Sequence, residues 1–151
     1  MDEVLICPGE FEQKLDMHYA SGIKAGFPSP AEDYFAETLD FNRDLIRHPD
    51  ATFYGRVKGD AMIDAGIGDG DIIVIDKALT AQNGDIVVAA VDGEFTIKYI
   101  SLTNRNEGYI ELIPANDKFK PIRIYETDNF EVWGVVTWTI KRRVKSLVAD
   151  K

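Results

Sequence analysis

The sequence contains very few residues that could build a disulfide framework or a metal centre. Cys7 is the only cysteine, so no disulfide can form within one chain and no cysteine cluster is present for zinc. The two histidines, His18 and His48, lie far apart and lack the cysteine or carboxylate spacing of a metal site. The sequence therefore predicts neither a metal ion nor any other cofactor.

Long apolar runs are also missing. No apolar stretch approaches the roughly 20 residues that a membrane-spanning helix needs. The N-terminus lacks the charged and apolar regions of a signal peptide. We therefore expect a cytoplasmic protein with no contact with a membrane.

Positive charge is scarce. The 17 Lys and Arg residues are outnumbered by 26 Asp and Glu, which gives a formal net charge of -9. Such a charge repels nucleic acid, whose strong binders cluster Lys and Arg. The basic stretch 141–145 is an exception, and we interpret it as a solvated C-terminal end rather than a nucleic-acid patch. If the protein acts at DNA, we expect it to do so through other proteins.

The size and composition of the chain predict mainly one domain. Its 151 residues are 45% hydrophobic, which is enough to bury a core. Residues 1–28 mix charge, glycine and apolar side chains without a sustained period, and we predict that they form an N-terminal arm. The main domain is predicted at 29–141, followed by a basic tail at 142–151.

Two short helices are expected where the arm joins the domain. The first begins at Ser29, whose hydroxyl can cap the helix, with Pro30 at the first helical position and Glu32 able to complete a capping box. The second runs over 40–46. It ends before Pro49, because a proline disfavours helical geometry in the residue that precedes it.

Beyond residue 50 the pattern changes to short strands separated by turn residues, which is typical of a compact, mainly β domain. The predicted strands are 52–58, 72–76, 85–91, 94–100, 109–114, 122–125 and 130–140.

The dipeptide Asp-Gly at 92–93 predicts a two-residue type I′ turn between two of these strands. Counting outward from this turn places Val87 opposite Lys98 and Ala89 opposite Thr96, all on one face. The Lys98 ammonium would be partly desolvated there, which disfavours its charged form. A neutral amine can act as a general base. The alternative from the pattern alone is an ordinary strand lysine with its head in water.

The run 57–71 carries a recognisable motif. Gly59-Asp60-Ala61-Met62, followed by Gly-Asp, resembles the Gly-x-Ser-Met and Gly-Asp motifs of the serine–lysine self-cleaving peptidases of the LexA/UmuD group. Ala61 stands where that family has its serine. The resemblance covers roughly residues 25 to 140 and is closest to the UmuD branch, since segments 25–31, 86–98 and 112–116 also match in order and spacing.

The resemblance implies a curved-sheet peptidase domain and a set of site residues. Residue 61 corresponds to the nucleophile and Lys98 to the general base. Backbone N–H groups of Asp60 and Ala61 correspond to the oxyanion site. The bond that the family would cleave is Ala25-Gly26 in the arm.

For function, the resemblance implies an SOS-response subunit of an error-prone translesion DNA polymerase. Its partners would be a second copy in a homodimer, a RecA filament on single-stranded DNA that stimulates self-cleavage, and a UmuC-like catalytic subunit. Two explanations of Ala61 remain open: an engineered substitution that traps the uncleaved form, or a natural pseudo-peptidase that acts only by binding. A LexA-type repressor would need a helix-turn-helix domain, for which the arm is too short.

The C-terminal strand supports the expectation of a homodimer. Strict alternation would place bulky side chains on both of its faces, and a strand of this kind lies either within one core or against a partner. One predicted face carries Trp133, Val135 and Thr137, and the other carries Val132, Val136 and Trp138.

Overall fold

The computed structural model describes residues 4–8, 16–19 and 37–144. Its strands are β1 (Val4–Pro8), β2 (Asp16–Tyr19), β3 (Glu37–Asp40), β4 (Thr52–Val57), β5 (Ile72–Asp76), β6 (Ile86–Val91), β7 (Glu94–Ser101), β8 (Tyr109–Ile113), β9 (Ile122–Tyr125) and β10 (Phe130–Ile140). The helical segments are α1 (Phe41–Asp44) and three 3-10 turns at Pro49–Ala51, Ile63–Ala65 and Arg105–Glu107. None of the described helices is long and apolar enough to cross a membrane.

Eight of the described strands form one curved antiparallel sheet in the order β1-β4-β5-β10-β6-β7-β8-β9. The predicted mainly β fold is therefore confirmed. β1 belongs to the same compact unit as β4 to β10, whereas β2, β3 and α1 belong to a second unit. Within that second unit β2 and β3 pair with each other in an antiparallel ladder.

All seven predicted strands are confirmed, each to within one residue at either end. The predicted helix at 40–46 is shorter in the structure, at Phe41–Asp44. The predicted helix start at Ser29 lies outside the described residues, as does most of the predicted arm. Two parts of the arm are described: residues 4–8 form the edge strand β1, which pairs with β4, and residues 16–19 form β2, which pairs with β3.

The sheet is packed on both faces. On one face of the β6–β7 hairpin lie Val88 and Ile97, and on the other lie Val87 and Ala89. The first core cluster consists of Val4, Val57, Met62, Ile67, Ile73, Ile75, Val88 and Ile97. The second consists of Val87, Ala89, Ile100, Leu112, Ile124 and Val135.

Two irregularities in β10 overturn the predicted faces of that strand. The register shifts between Val132 and Gly134 against β6, and again between Val136 and Trp138 against β5. Each shift interrupts the alternation of side chains, because an extra residue in a strand reverses the faces beyond it. Trp133 and Val136 consequently pack against the first cluster, while Val132 and Val135 belong with the second.

Gly134 sits at the first of these irregularities for a steric reason. A Cβ atom at this position would lie 2.5 Å from Cγ2 of Ile75, a residue that is fully buried. Only glycine allows β10 to approach β5 this closely.

Candidate functional site

The turn that carries position 61 follows β4 directly. Gly59 adopts φ +90°, a backbone conformation that favours glycine. Its N–H donates a hydrogen bond of 2.8 Å to Oδ1 of Asp69. Ala61 is 5% exposed and Met62 is 1% exposed within the first core cluster. Met62 is therefore a core residue, and the methyl group of Ala61 lies in a buried position.

Three hydrogen bonds hold this turn to the segment after β8. The Ala115 N–H donates to the carbonyl oxygen of Ala61 at 2.9 Å, and the Asp64 N–H donates to the carbonyl of Ala115 at 2.8 Å. The Asn116 side chain donates from Nδ2 to the carbonyl of Asp60, also at 2.8 Å. These bonds constrain the backbone at 60–64 from outside the turn, so the position of residue 61 does not depend on local propensity alone.

The carbonyl groups of Asp60 and Ala61 are hydrogen-bonded, but their N–H groups are not, among the described residues. Within the part of the chain that the structure describes, no acceptor is found for the N–H of Asp60 or of Ala61. A buried N–H without an acceptor costs free energy, so such groups are rare unless they serve a ligand or a reacting group. Of these two residues only Ala61 is buried, so this argument applies to the N–H of Ala61, whereas Asp60 is exposed.

Lys98 lies in β7 at the position that the hairpin geometry predicts. Asp92 and Gly93 have φ values of +51° and +84°, as a type I′ turn requires. The β6–β7 register places Val87 opposite Lys98 and Ala89 opposite Thr96, which confirms the predicted pairing. The Lys98 side chain is buried, at 4% exposure, so the alternative of a solvated strand lysine is wrong.

The ammonium group of Lys98 has a polar neighbour on its own strand. Its Nζ donates a hydrogen bond of 2.5 Å to Oγ1 of Thr96, two residues away on the same face. Thr96 was not singled out in the sequence for this role. The signal was present, however, because residues i and i+2 of a strand share a face.

One segment connects the surroundings of the two predicted catalytic positions. The β7–β8 ladder ends with Tyr99 opposite Ile113. Just beyond this ladder, Ala115 packs against the first core cluster, which contains both Met62 and Ile97, the neighbours of Ala61 and Lys98 in the sequence. The same segment binds the Ala61 carbonyl through the N–H of Ala115. The predicted cleavage residues Ala25 and Gly26 lie outside the described residues.

A buried carboxylate holds in place the loop that follows the turn carrying Ala61. Asp71 is 6% exposed and accepts a hydrogen bond of 2.8 Å from the N–H of Gly68. It also forms an ion pair with Lys141. The interpretation of the basic stretch 141–145 as simply solvated therefore does not hold for Lys141. The ion pair of this residue ties the end of β10 to the loop.

Comparisons with known proteins find relatives that match most of the chain. Residues 18–137 match the family described as Peptidase S24-like. MucA from Escherichia coli is 44% identical over 124 residues, which cover 81% of this chain and 82% of MucA. ImpA from Shigella flexneri is 43% identical over 124 residues, or 82% of each chain. The LexA repressor of Desulfatibacillum aliphaticivorans is 43% identical over 122 residues, which cover 80% of this chain and 58% of the repressor.

Proposed function

Because the chain belongs to the Peptidase S24-like family, we propose that its serine-bearing form is a self-cleaving serine–lysine peptidase. The observation that carries this proposal is the buried Lys98, which lies among apolar neighbours at the position of the family's general base. Placing a lysine there costs stability, so a chemical role accounts for it better than packing does.

Each site residue has a distinct role in the proposed reaction. A serine hydroxyl at position 61 attacks the carbonyl carbon of Ala25, while neutral Lys98 removes the hydroxyl proton. The N–H groups of Asp60 and residue 61 stabilise the negative oxygen that forms. The Ala25-Gly26 bond then breaks, and the amine of Gly26 leaves with the proton that Lys98 took from the serine. A water molecule, deprotonated in turn by Lys98, hydrolyses the ester between Ala25 and residue 61, which frees the fragment and restores the serine. In the present form, Ala61 has no oxygen for the attack, and the chain stays whole.

The biological role that we propose is regulation of mutagenic DNA synthesis in the SOS response. The protein forms a homodimer and binds the UmuC-like catalytic subunit of a translesion polymerase, and a RecA filament on single-stranded DNA promotes its cleavage. The similarity to MucA and ImpA over most of the chain supports this branch of the family. The net charge of -9 fits a protein that reaches DNA through protein partners.

A second candidate function rests on Ala61 itself. If alanine is the natural residue, the protein is a pseudo-peptidase that regulates the polymerase by binding alone. Sequencing the native gene at codon 61 separates the two candidates: serine identifies a trapped peptidase, and alanine identifies a binding protein.

The direct test of the peptidase is the Ala61→Ser variant. We expect slow self-cleavage that yields a fragment beginning at Gly26, detected by intact-mass analysis. The rate should rise with pH, because only the neutral amine of Lys98 can accept a proton. The doubly changed Ala61→Ser/Lys98→Met chain is the matched control and should stay whole. An Ala61→Ser chain that remains uncut at alkaline pH and with an activated RecA filament would refute the proposal.

A further inference from the structure

The N-terminal strand β1 is an integral part of the main sheet. It pairs with β4 in an antiparallel ladder from Val4 opposite Val57 to Pro8 opposite Phe53. Val4 is 2% exposed and belongs to the first core cluster. β1 is also the outermost strand, since the sheet order places β4 between it and β5. The strand therefore covers an edge that would otherwise present unpaired N–H and C=O groups.

The bond Ala25-Gly26 lies in the sequence between β1 and β4. Before cleavage the two strands are joined by the chain, and a tether of this kind holds a weak partner at an effective concentration on the order of millimolar. After cleavage the same five-residue strand is held only by its own contacts. At micromolar protein concentration a competing strand can then replace it.

We propose that cleavage converts β4 into a docking edge for an extended strand of a partner protein. This inference rests on the proposed self-cleavage, which supplies the cut. In the uncleaved chain β1 occupies the edge of β4 and so prevents the partner strand from pairing there. The interaction is addition of a strand to a sheet, in which backbone hydrogen bonds supply affinity and alternate side chains supply specificity.

The pairing of β1 defines the chemistry of the partner strand. It runs antiparallel to β4 and carries a β-branched aliphatic residue opposite Val57, where Val4 is buried in the core. Opposite Gly55 the partner residue meets no side chain from β4. A proline is compatible with the last position, opposite Phe53, where β1 itself has Pro8.

The test opens the edge without self-cleavage, so every form retains Ala61. In the full chain, Val4→Asp places a carboxylate in the core position, and β1 should detach because burying an unpaired charge is costly. The probe is a fluorescent peptide of residues 2–10 with Cys7→Ser. We expect it to bind the Val4→Asp chain at least tenfold more tightly than the unmodified chain. The same peptide with Val4→Asp is the matched control and should bind neither chain.

Amide hydrogen exchange shows whether the peptide binds along the edge of β4. Amides of β4 should lose protection in the Val4→Asp chain and regain it with the peptide, while those of β7 and β8 stay protected. If Val4→Asp unfolds β7 and β8, a second form replaces it: the full chain with a protease site inserted at 20–28 and cut by the added protease. The labelled peptide should exchange into this cut chain.

Two results would overturn the docking edge. One is a peptide that binds the opened or cut chain no better than the unmodified chain. The other is a cut chain whose mass doubles relative to the uncut chain without added peptide, because its edge would then pair with a second copy. Neither result depends on self-cleavage, which the Ala61→Ser variant tests separately.

Discussion

The backbone N–H of Ala115 donates a hydrogen bond of 2.9 Å to the carbonyl oxygen of Ala61, although the two residues lie in different parts of the chain. This bond ties the turn after β4 to the segment after β8. The reciprocal bond, from the N–H of Asp64 to the carbonyl of Ala115, completes a short backbone ladder beside the proposed nucleophile position. The chain at 113–116 thus holds the turn around Ala61 in position. The side chain of Asn116 allows this role to be tested.

Asn116→Ala should loosen the nucleophile turn. It removes the 2.8 Å hydrogen bond to the carbonyl of Asp60, and the loss of one such bond lowers the free energy of unfolding by about 1 kcal/mol. In the Ala61→Ser background we expect cleavage to slow on the order of tenfold, since small displacements of a nucleophile are costly. Denaturant unfolding and intact-mass kinetics measure the two effects.

The matched control is Asn116→Asp, which keeps an acceptor for the N–H of Lys118 but loses the donor to Asp60. It should slow cleavage at least as much as Asn116→Ala does. An Asn116→Asp chain that cleaves at the rate of its parent would show that this donor does not position the turn.

Lys98→Met should leave the folded state as stable as before or stabilise it by up to about 1 kcal/mol, because an apolar side chain replaces a buried ammonium group beside Val87. Thr96→Val is the contrasting variant. It removes an acceptor from the buried ammonium and should destabilise the fold by roughly 1–3 kcal/mol. Thermal and denaturant unfolding compare them. A loss of more than about 2 kcal/mol in Lys98→Met would identify Lys98 as structural.

Gly134→Ala should destabilise the protein by roughly 1–3 kcal/mol through overpacking, because the new Cβ would lie 2.5 Å from Cγ2 of Ile75. Ile75→Ala removes that methyl group at its own cost of about 2–5 kcal/mol. The double variant should therefore lose less stability than the sum of the two single variants. Simple additivity in denaturant unfolding would show that the two positions do not clash.

The homodimer remains a prediction, and the structure suggests which face to test. Tyr54, Val74 and Trp138 are paired across β4, β5 and β10, so they form one row of the sheet. Tyr54 is 41% exposed and Trp138 is 46% exposed. Light scattering should give twice 16.9 kDa for the parent chain and a lower mass for Trp138→Glu. Tyr125→Glu, at an exposed position of β9, is the control and should remain dimeric.

Local chemistry made several features predictable from the sequence. The Asp-Gly turn at 92–93 sets the register of the β6–β7 hairpin, because a two-residue turn determines which residues face each other. The strand boundaries followed from turn residues between apolar runs. The family resemblance was visible in the motif around Ala61 and in its spacing to Lys98, and the match over 18–137 agrees with it.

The remaining features depend on contacts between distant segments, and these only the tertiary structure decided. The β10 irregularities arise from packing against β5 and β6, so an alternating pattern could not reveal which face Trp133 occupies. The hydrogen bond from Ala115 to Ala61 joins residues that no local rule relates. The pairing of β1 with β4 depends on which sheet edge is available. The sequence by itself determined the local turns, the strand periods and the motif, because these depend on neighbouring residues. Burial of Lys98 and the order of the strands in the sheet depend on packing between elements far apart in the chain, where many pairings satisfy the same local pattern.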